Sequence, residues 1–298
     1  MDFKDIIGND EIKNYLLNCT KTNKILQSYL FVGTEGIGKL MTAKIFAKKI
    51  LCLNKENNCK CKSCGCFDEN NHPDFEIINE NGDTIKIEQI RQITNKVIEQ
   101  PIISNKKVYI INDCEKMTTE AQNCLLKTLE EPPEFVVIIL ISSNENNILN
   151  TIKSRCMTIK FKNIPNDKLQ KYIIDKLGNT QMTENLINSF NGSIGKAVIQ
   201  IENQEDFLKI DKLIDKFQNA DIIDIINYAK FVYDKEKIYS ILEYMLICLC
   251  EKSKQNKEYI NCIDIINEAN NCLLKNCNLD MTIDKMLFEM YNSIRKGI

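Results

Sequence analysis

A single histidine, no apolar run approaching the roughly 20 residues of a membrane span, and no surplus of positive charge define what this sequence does without. The one histidine, His72, lies beside Pro73 and reads as a structural residue, so histidine-based acid–base catalysis is not expected. Lysine and arginine number 39 against 41 aspartates and glutamates, a net charge of −2, so no overall basic field marks the chain as a free-standing DNA binder. Any contact with nucleic acid is therefore expected to be local or shared with partners. The opening MDFKDIIGND has neither a basic n-region nor an apolar h-region, and a cytosolic location is expected. Internal repeats and low-complexity segments are lacking too, although asparagine-rich loops recur.

What is present is ordinary globular material. The 298 residues, 44% apolar and 27% charged, are enough for two or three domains with a substantial core. Fourteen cysteines resemble a disulfide protein, but in a reducing compartment scattered thiols are usually buried and only tight clusters suggest metal. Cys52, Cys59, Cys61, Cys64 and Cys66 form one such cluster, and Cys61-x2-Cys64 has zinc-knuckle spacing.

The chain is organised around Lys107 to Cys156. Val108 to Ile111 is a short β-rich run closed by polar Asn112-Asp113, as a buried parallel strand ends. Thr119 and Gln122 have capping-box spacing, which places a helix start at Thr119. Ala121, Cys124, Leu125, Thr128 and Leu129 mark its apolar face, and Pro132-Pro133 forbids continuation past Glu131. Val136 to Ile141 is a second buried strand, followed by Ser142-Ser143-Asn144. Upstream, the strand Tyr29 to Val32 runs directly into Gly33-Thr34-Glu35-Gly36-Ile37-Gly38-Lys39-Leu40. That is GxxxxGK between a strand and a helix, the setting in which glycines at 33, 36 and 38 let backbone N–H groups curl round phosphate and Lys39 reaches the terminal phosphates. Leu40 departs from this pattern, because a leucine cannot ligate Mg²⁺ where a hydroxyl belongs, and Thr42 lies two residues on and points elsewhere. ATP or ADP binding and a vestigial loop both remain open here.

The run LLKTLEEPPE followed by TIKSRC resembles the AAA+ clamp-loader ATPases of bacterial replication, the gamma/tau and delta prime subunits of DNA polymerase III. The resemblance implies an α/β P-loop domain with a parallel sheet over residues 1–163, a helical lid over 164–204 and an all-α collar over 205–298 that holds five subunits in a ring. It implies gamma/tau and delta subunits as partners, with the β sliding clamp and primed DNA reached through the complex. The segment Asp5 to Asp10 would flank the adenine of a bound nucleotide, although a core-facing first helix accounts for Ile12 and Leu16 equally well. Members of the family carry four cysteines ahead of His-Pro-Asp, here His72-Pro73-Asp74, which implies structural zinc on Cys52, Cys59, Cys61 and Cys64 with Cys66 as the substitute ligand. The upstream spacing departs from the family's, since Cys59-x-Cys61 is one residue short.

Active members follow the strand at 108–111 with Asp-Glu, the first ordering Mg²⁺ and the second polarising the attacking water. Here Asn112 and Asp113 stand there, so one charge is gone and the carboxylate is about one methylene short. In Asn191-Gly192-Ser193-Ile194-Gly195-Lys196 a glycine replaces the arginine by which motor subunits read the γ-phosphate, and this resembles delta prime; Lys196 is turned ~100° away on a helix. Arg155 of Ser154-Arg155-Cys156 is intact, and in the family it projects into a neighbour's ATP site as an arginine finger. A non-hydrolysing, delta prime-like subunit is therefore expected, with an active gamma-like ATPase and a zinc-dependent nucleic-acid-binding module as alternatives. The remainder reads as a strand at Met157 to Phe161, a break at Ile164-Pro165-Asn166, short helices to Ile201 and helices throughout from Phe207, with Ile241, Tyr244, Met245, Cys248 and Leu249 as a core or interface stripe.

Overall fold

The computed structural model describes residues 2–56, 59–79, 84–177, 184–202, 204–254 and 256–296. Contacts divide the chain into two compact units, one of Met1–Leu169 with Gly192–Gly195, the other of Gln170–Asn191 with Lys196–Ile298.

The first unit opens with α1 (Asp10–Thr22), β1 (Ser28–Val32), α2 (Lys39–Leu51), α3 (Lys62–Asp68), β2 (Phe75–Ile78) and α4 (Ile87–Lys96). It continues with β3 (Lys107–Ile111), α5 (Thr119–Glu130), β4 (Val136–Ser142), the single turn α6 (Asn150–Lys153), β5 (Met157–Lys160) and the start of α7 (Asn166–Leu177). The strands form one parallel sheet in the order β2-β3-β4-β1-β5. β1, β3 and β4 are buried along their whole length, which is why they read as continuous apolar runs, whereas β2 and β5 at the edges are partly exposed. Alternate residues serve opposite faces. Leu30, Val32, Tyr109, Ile111, Ile138 and Leu140 join Ile90 and Ile93 of α4 and Leu125 and Leu129 of α5 in one core, while Tyr29 packs edge-on against Phe46 of α2. In sequence Asn81-Gly82-Asp83 reads as a hairpin-like break, and it lies outside the described residues. α4 stops at Lys96, ahead of Pro101.

One local expectation is corrected. The cap of α5 is Thr118, whose hydroxyl accepts from the Ala121 N–H at 3.3 Å, so the helix has no Thr119/Gln122 capping box. Gln122 is buried instead, donating to the carbonyls of Met117 (3.3 Å) and Asn147 (3.0 Å) and accepting from the Leu149 N–H (2.9 Å). It fastens the loop beyond β4 and sets the entry to α6, whose far end carries Arg155. α5 ends at Glu130, two residues ahead of Pro132.

The second unit is helical among its described residues: the rest of α7, α8 (Glu184–Ser189), most of α9 (Ile194–Glu202), α10 (Gln204–Asn219), α11 (Ile222–Tyr228), α12 (Ile238–Ser253), α13 (Glu258–Leu274) and α14 (Leu279–Lys296). Ile241, Tyr244, Met245, Cys248 and Leu249 are all buried, so the stripe on α12 is core. Within that core the Tyr244 hydroxyl and Cys248 thiol donate to the Asp211 carboxylate, whose pKa burial raises. No helix of the described residues is long and apolar enough to cross a membrane.

Candidate functional site

The phosphate-type loop lies between β1 and α2 at the C-terminal edge of the sheet. Gly36 and Gly38 have φ of +71° and +97°, backbone states that favour glycine. Lys39 is buried and turned back on its own loop, its ammonium donating to the carbonyls of Gly33 (2.6 Å) and Thr34 (2.8 Å). Burial lowers its pKa, and the nearby Glu115 and Asp113 carboxylates oppose that shift. Beside it opens a cleft of roughly 440 Å³ whose lining includes Lys39, Leu40, Asn112, Asp113, Lys116 and Ser143.

The groups that would hold a divalent cation there are committed elsewhere. Leu40 lines the cleft without a donor atom in its side chain, and the Thr42 hydroxyl donates to the Gly38 carbonyl at 2.8 Å. Asn112 donates through its amide to the Asn79 carbonyl (3.4 Å), and Asn79 returns a bond to the Asn112 carbonyl (3.3 Å), tying the ends of β2 and β3 together. Asp113 takes a left-handed backbone, φ +47°, which aspartate tolerates, and pairs with Lys116 at 3.6 Å.

Gly195 explains itself by contact. Its N–H donates to the Gly36 carbonyl at 3.0 Å, and a Cβ at Gly195 would lie 2.9 Å from the Gly36 Cα. A Cβ at Gly36 would in turn meet the Ser193 hydroxyl at 2.3 Å. The 192–195 turn therefore packs backbone to backbone on the tip of the phosphate loop, a spacing that excludes an arginine at 195. Lys196 is ion-paired with Glu243 in the second unit.

Arg155 follows α6 and is partly exposed. One guanidinium nitrogen meets Glu130 at 2.6 Å and the other donates to the Thr151 carbonyl at 2.8 Å. The end of α5 and the end of α6 thus hold the fork between them.

The cysteine cluster forms a separate site. The sulfurs of Cys52, Cys59, Cys61 and Cys64 lie within 4.8 Å of one another, and Cys66 is outside the group. Tetrahedral zinc–thiolate bonds of ~2.3 Å require sulfurs about 3.8 Å apart, so the four fit a closed structural zinc site. Burial opposes ionisation of Cys61, but the N–H groups of Cys64 and Leu53 bond its sulfur and bring its pKa to about 6. The Cys61 N–H also bonds the Cys59 sulfur at 3.4 Å.

His72 anchors this module. Its Nδ1 accepts from the Asp74 N–H at 3.0 Å, so Nε2 carries the proton and faces the hydroxyls of Ser63 (2.9 Å) and Ser104 (3.2 Å). Both hydroxyls donate to the Leu51 carbonyl, next to Cys52, at 2.7 and 2.8 Å. Buried Asp74 accepts from the N–H groups of Ile102 (2.6 Å), Ile103 and Ser104 (both 2.8 Å). Asp74→Ala strands three backbone donors, and a loss of about 3 kcal/mol is expected in denaturant unfolding, with Asn at 74 recovering part of it. An unchanged midpoint would contradict this account of the network.

Ser63 and Ser104 carry no signal in the sequence, and the same holds for two carboxylates at the other sites. Glu115, the second residue after Asp113, accepts from both the N–H (2.9 Å) and the hydroxyl of Ser143, leaving its other oxygen buried and unpartnered. Glu130 was visible only as part of a motif, with nothing to pair it with Arg155.

The profile of the family described as DNA polymerase III, delta subunit, matches residues 8–165, just over half of the chain. A DNA polymerase III subunit gamma/tau of Mycoplasma genitalium is 30% identical over 89% of this chain and 43% of its own length. The delta' subunit of Bacillus subtilis is 32% identical over 65% of this chain and 59% of its own. The chain thus spans less than two thirds of the length of these relatives. Among solved structures, a gamma subunit-related protein of Thermotoga maritima has a TM-score of 0.52 at 18% identity, covering 94% of this chain and 99% of that one. The T158V variant of Thermotoga maritima RuvB has a TM-score of 0.51 at 13% identity, covering 98% and 89%; both are likenesses of fold. The sheet, the phosphate loop and the family match together place this chain in the clamp-loader AAA+ family of DNA polymerase III subunits.

Proposed function

We propose that the chain is a delta prime-type clamp-loader subunit that helps gamma/tau and delta subunits place the β sliding clamp on primed DNA, hydrolysing no ATP itself. The observation that carries this is an asymmetry. Positions that would serve the chain's own Mg²⁺ are Leu40 and Asn112, and Gly195 is packed on the phosphate loop, while Arg155 stays on the surface as a planar fork. The chain keeps what it would offer a neighbour and lacks what it would need itself. Zinc on Cys52, Cys59, Cys61 and Cys64 would be structural, because four thiolates leave no open position for substrate. The helices after 164 would supply the lid and the collar of a pentameric ring.

The alternative is a gamma-type ATPase that retains weak turnover through Lys39 and Asp113, and the 89% coverage by a gamma/tau relative favours it. Turnover by the purified chain separates the two. A delta prime-type subunit gives no ATPase above background with or without DNA, yet is required for clamp- and DNA-stimulated turnover when mixed with gamma/tau and delta. ATP hydrolysis by the isolated chain would overturn the proposal.

A further inference from the structure

We propose that Cys272 and Cys277 are a redox-active dithiol that closes to an intramolecular disulfide when a low-molecular-weight disulfide is present. The observation is the way α13 ends. Asn276 has a left-handed backbone, φ +60°, the Cys277 N–H donates to the Cys272 carbonyl at 3.1 Å, and the Asn276 N–H donates to the Leu273 carbonyl at 3.0 Å. This nested pair of bonds is a Schellman motif, in which the side chains at the two ends of the outer bond meet across the helix terminus. An apolar pair normally fills those two places. Here both are cysteine.

The geometry suits a bond between them. Through that outer hydrogen bond the two Cα atoms can be no more than about 7 Å apart, since N–Cα and the carbonyl reach are fixed lengths, and disulfides span ~4.4–6.8 Å. Both residues line one cavity of roughly 250 Å³, along with Ala269, Met281 and Met286. Cys277 is exposed and Cys272 half-buried, so an oxidant reaches the pair. Four other thiols are protected: burial pushes Cys156 up to about 12 and Cys262 to about 11, and raises Cys114 and Cys248 as well.

The chemistry is two successive exchanges. The thiolate of one cysteine attacks the small disulfide and releases one thiol, and the second cysteine then attacks the protein-bound sulfur and releases the other. The protein pair loses two protons and two electrons, and the oxidant is reduced to two thiols. The product covalently joins the last turn of α13 to the connection that launches α14.

Trypsin tests this directly because Lys275 lies between the two sulfurs. The full chain is treated with oxidised glutathione in excess, alkylated and digested. The expected product is peptide 258–275 linked to peptide 276–285, with a loss of two hydrogens and of both alkylation sites. The link persists in Cys262→Ser, whose cysteine shares the first peptide, and disappears in Cys277→Ser, which instead carries one glutathione on Cys272. Alkylation of both Cys272 and Cys277 in the oxidised wild type, or a glutathione on each without a link, overturns the proposal. Neither result bears on Arg155 or on the clamp-loader reading.

Discussion

Arg155→Ala is expected to lower the ATPase of a loader reconstituted with gamma/tau and delta subunits while leaving its assembly intact. In the proposed role the guanidinium stabilises charge developing on a phosphoryl group held by the neighbouring subunit, and such fingers are worth ~10³ to 10⁵ in rate at the site they complete. A loader with several ATP sites keeps the turnover of the others, so the measured drop is the share of the one site that Arg155 completes. Loss of the side chain should cost the fold little. Its pair with Glu130 is partly exposed on both sides, and pairs of that kind contribute ~0–1 kcal/mol. Arg155→Lys is expected not to restore the rate, because an ammonium is a point charge without the bidentate fork. Glu130→Gln gives a second reading of the same mechanism. It frees the guanidinium from its resting partner, so assembly again persists and turnover changes through the apparent affinity for ATP before the maximal rate. Clamp- and DNA-stimulated ATPase unchanged in Arg155→Ala, with the complex intact by size-exclusion chromatography, would remove the finger and leave the chain a structural member of the assembly.

How much of this could be read in the sequence follows from the range of the interactions. The three central strands were legible because each is buried on both faces and therefore spelled in consecutive apolar residues. The start of α5 at Thr119 was legible, but its cap was misplaced by one residue because Thr118 and Thr119 are equivalent caps in one dimension, and only the tertiary demand on Gln122 from Asn147 and Leu149 separates them. His72 was legible as structural, but its partners Ser63 and Ser104 stand 9 and 32 residues away and carry no local pattern. Gly195 was legible as a departure from an arginine. That the departure is enforced by backbone contact with Gly36, 159 residues upstream, is a fact of packing alone. Glu115 left no mark at all, since a glutamate after a strand end is ordinarily solvated, and its partner Ser143, just past the end of β4, stands 28 residues away.

The cysteine module gives the second large effect. Purified chain is expected to carry about one zinc, and the double replacement Cys61→Ser with Cys64→Ser to carry none and to melt well below the wild type. Apparent binding free energies of ~10–16 kcal/mol in zinc-finger peptides set the scale, because the metal binds only the folded arrangement of its ligands. In this chain the loss should be local in origin and wider in effect. α3 carries Cys64 and also Ser63, so slackening the sulfur cluster loosens the His72 network that joins Leu51 to the loop holding Ser104. Protons compete with the metal for the thiolates. Cys61 is already inclined to ionise near neutrality, whereas burial holds the Cys64 thiol protonated, so binding releases protons and affinity falls as the pH is lowered. Single replacements identify the ligands. Cys66→Ser should retain full zinc and the wild-type melting temperature, because its sulfur is outside the group of four, while Cys52→Ser should lose both. The reverse outcome would assign the fourth ligand to Cys66 and detach Cys52, and with it the end of α2, from the site.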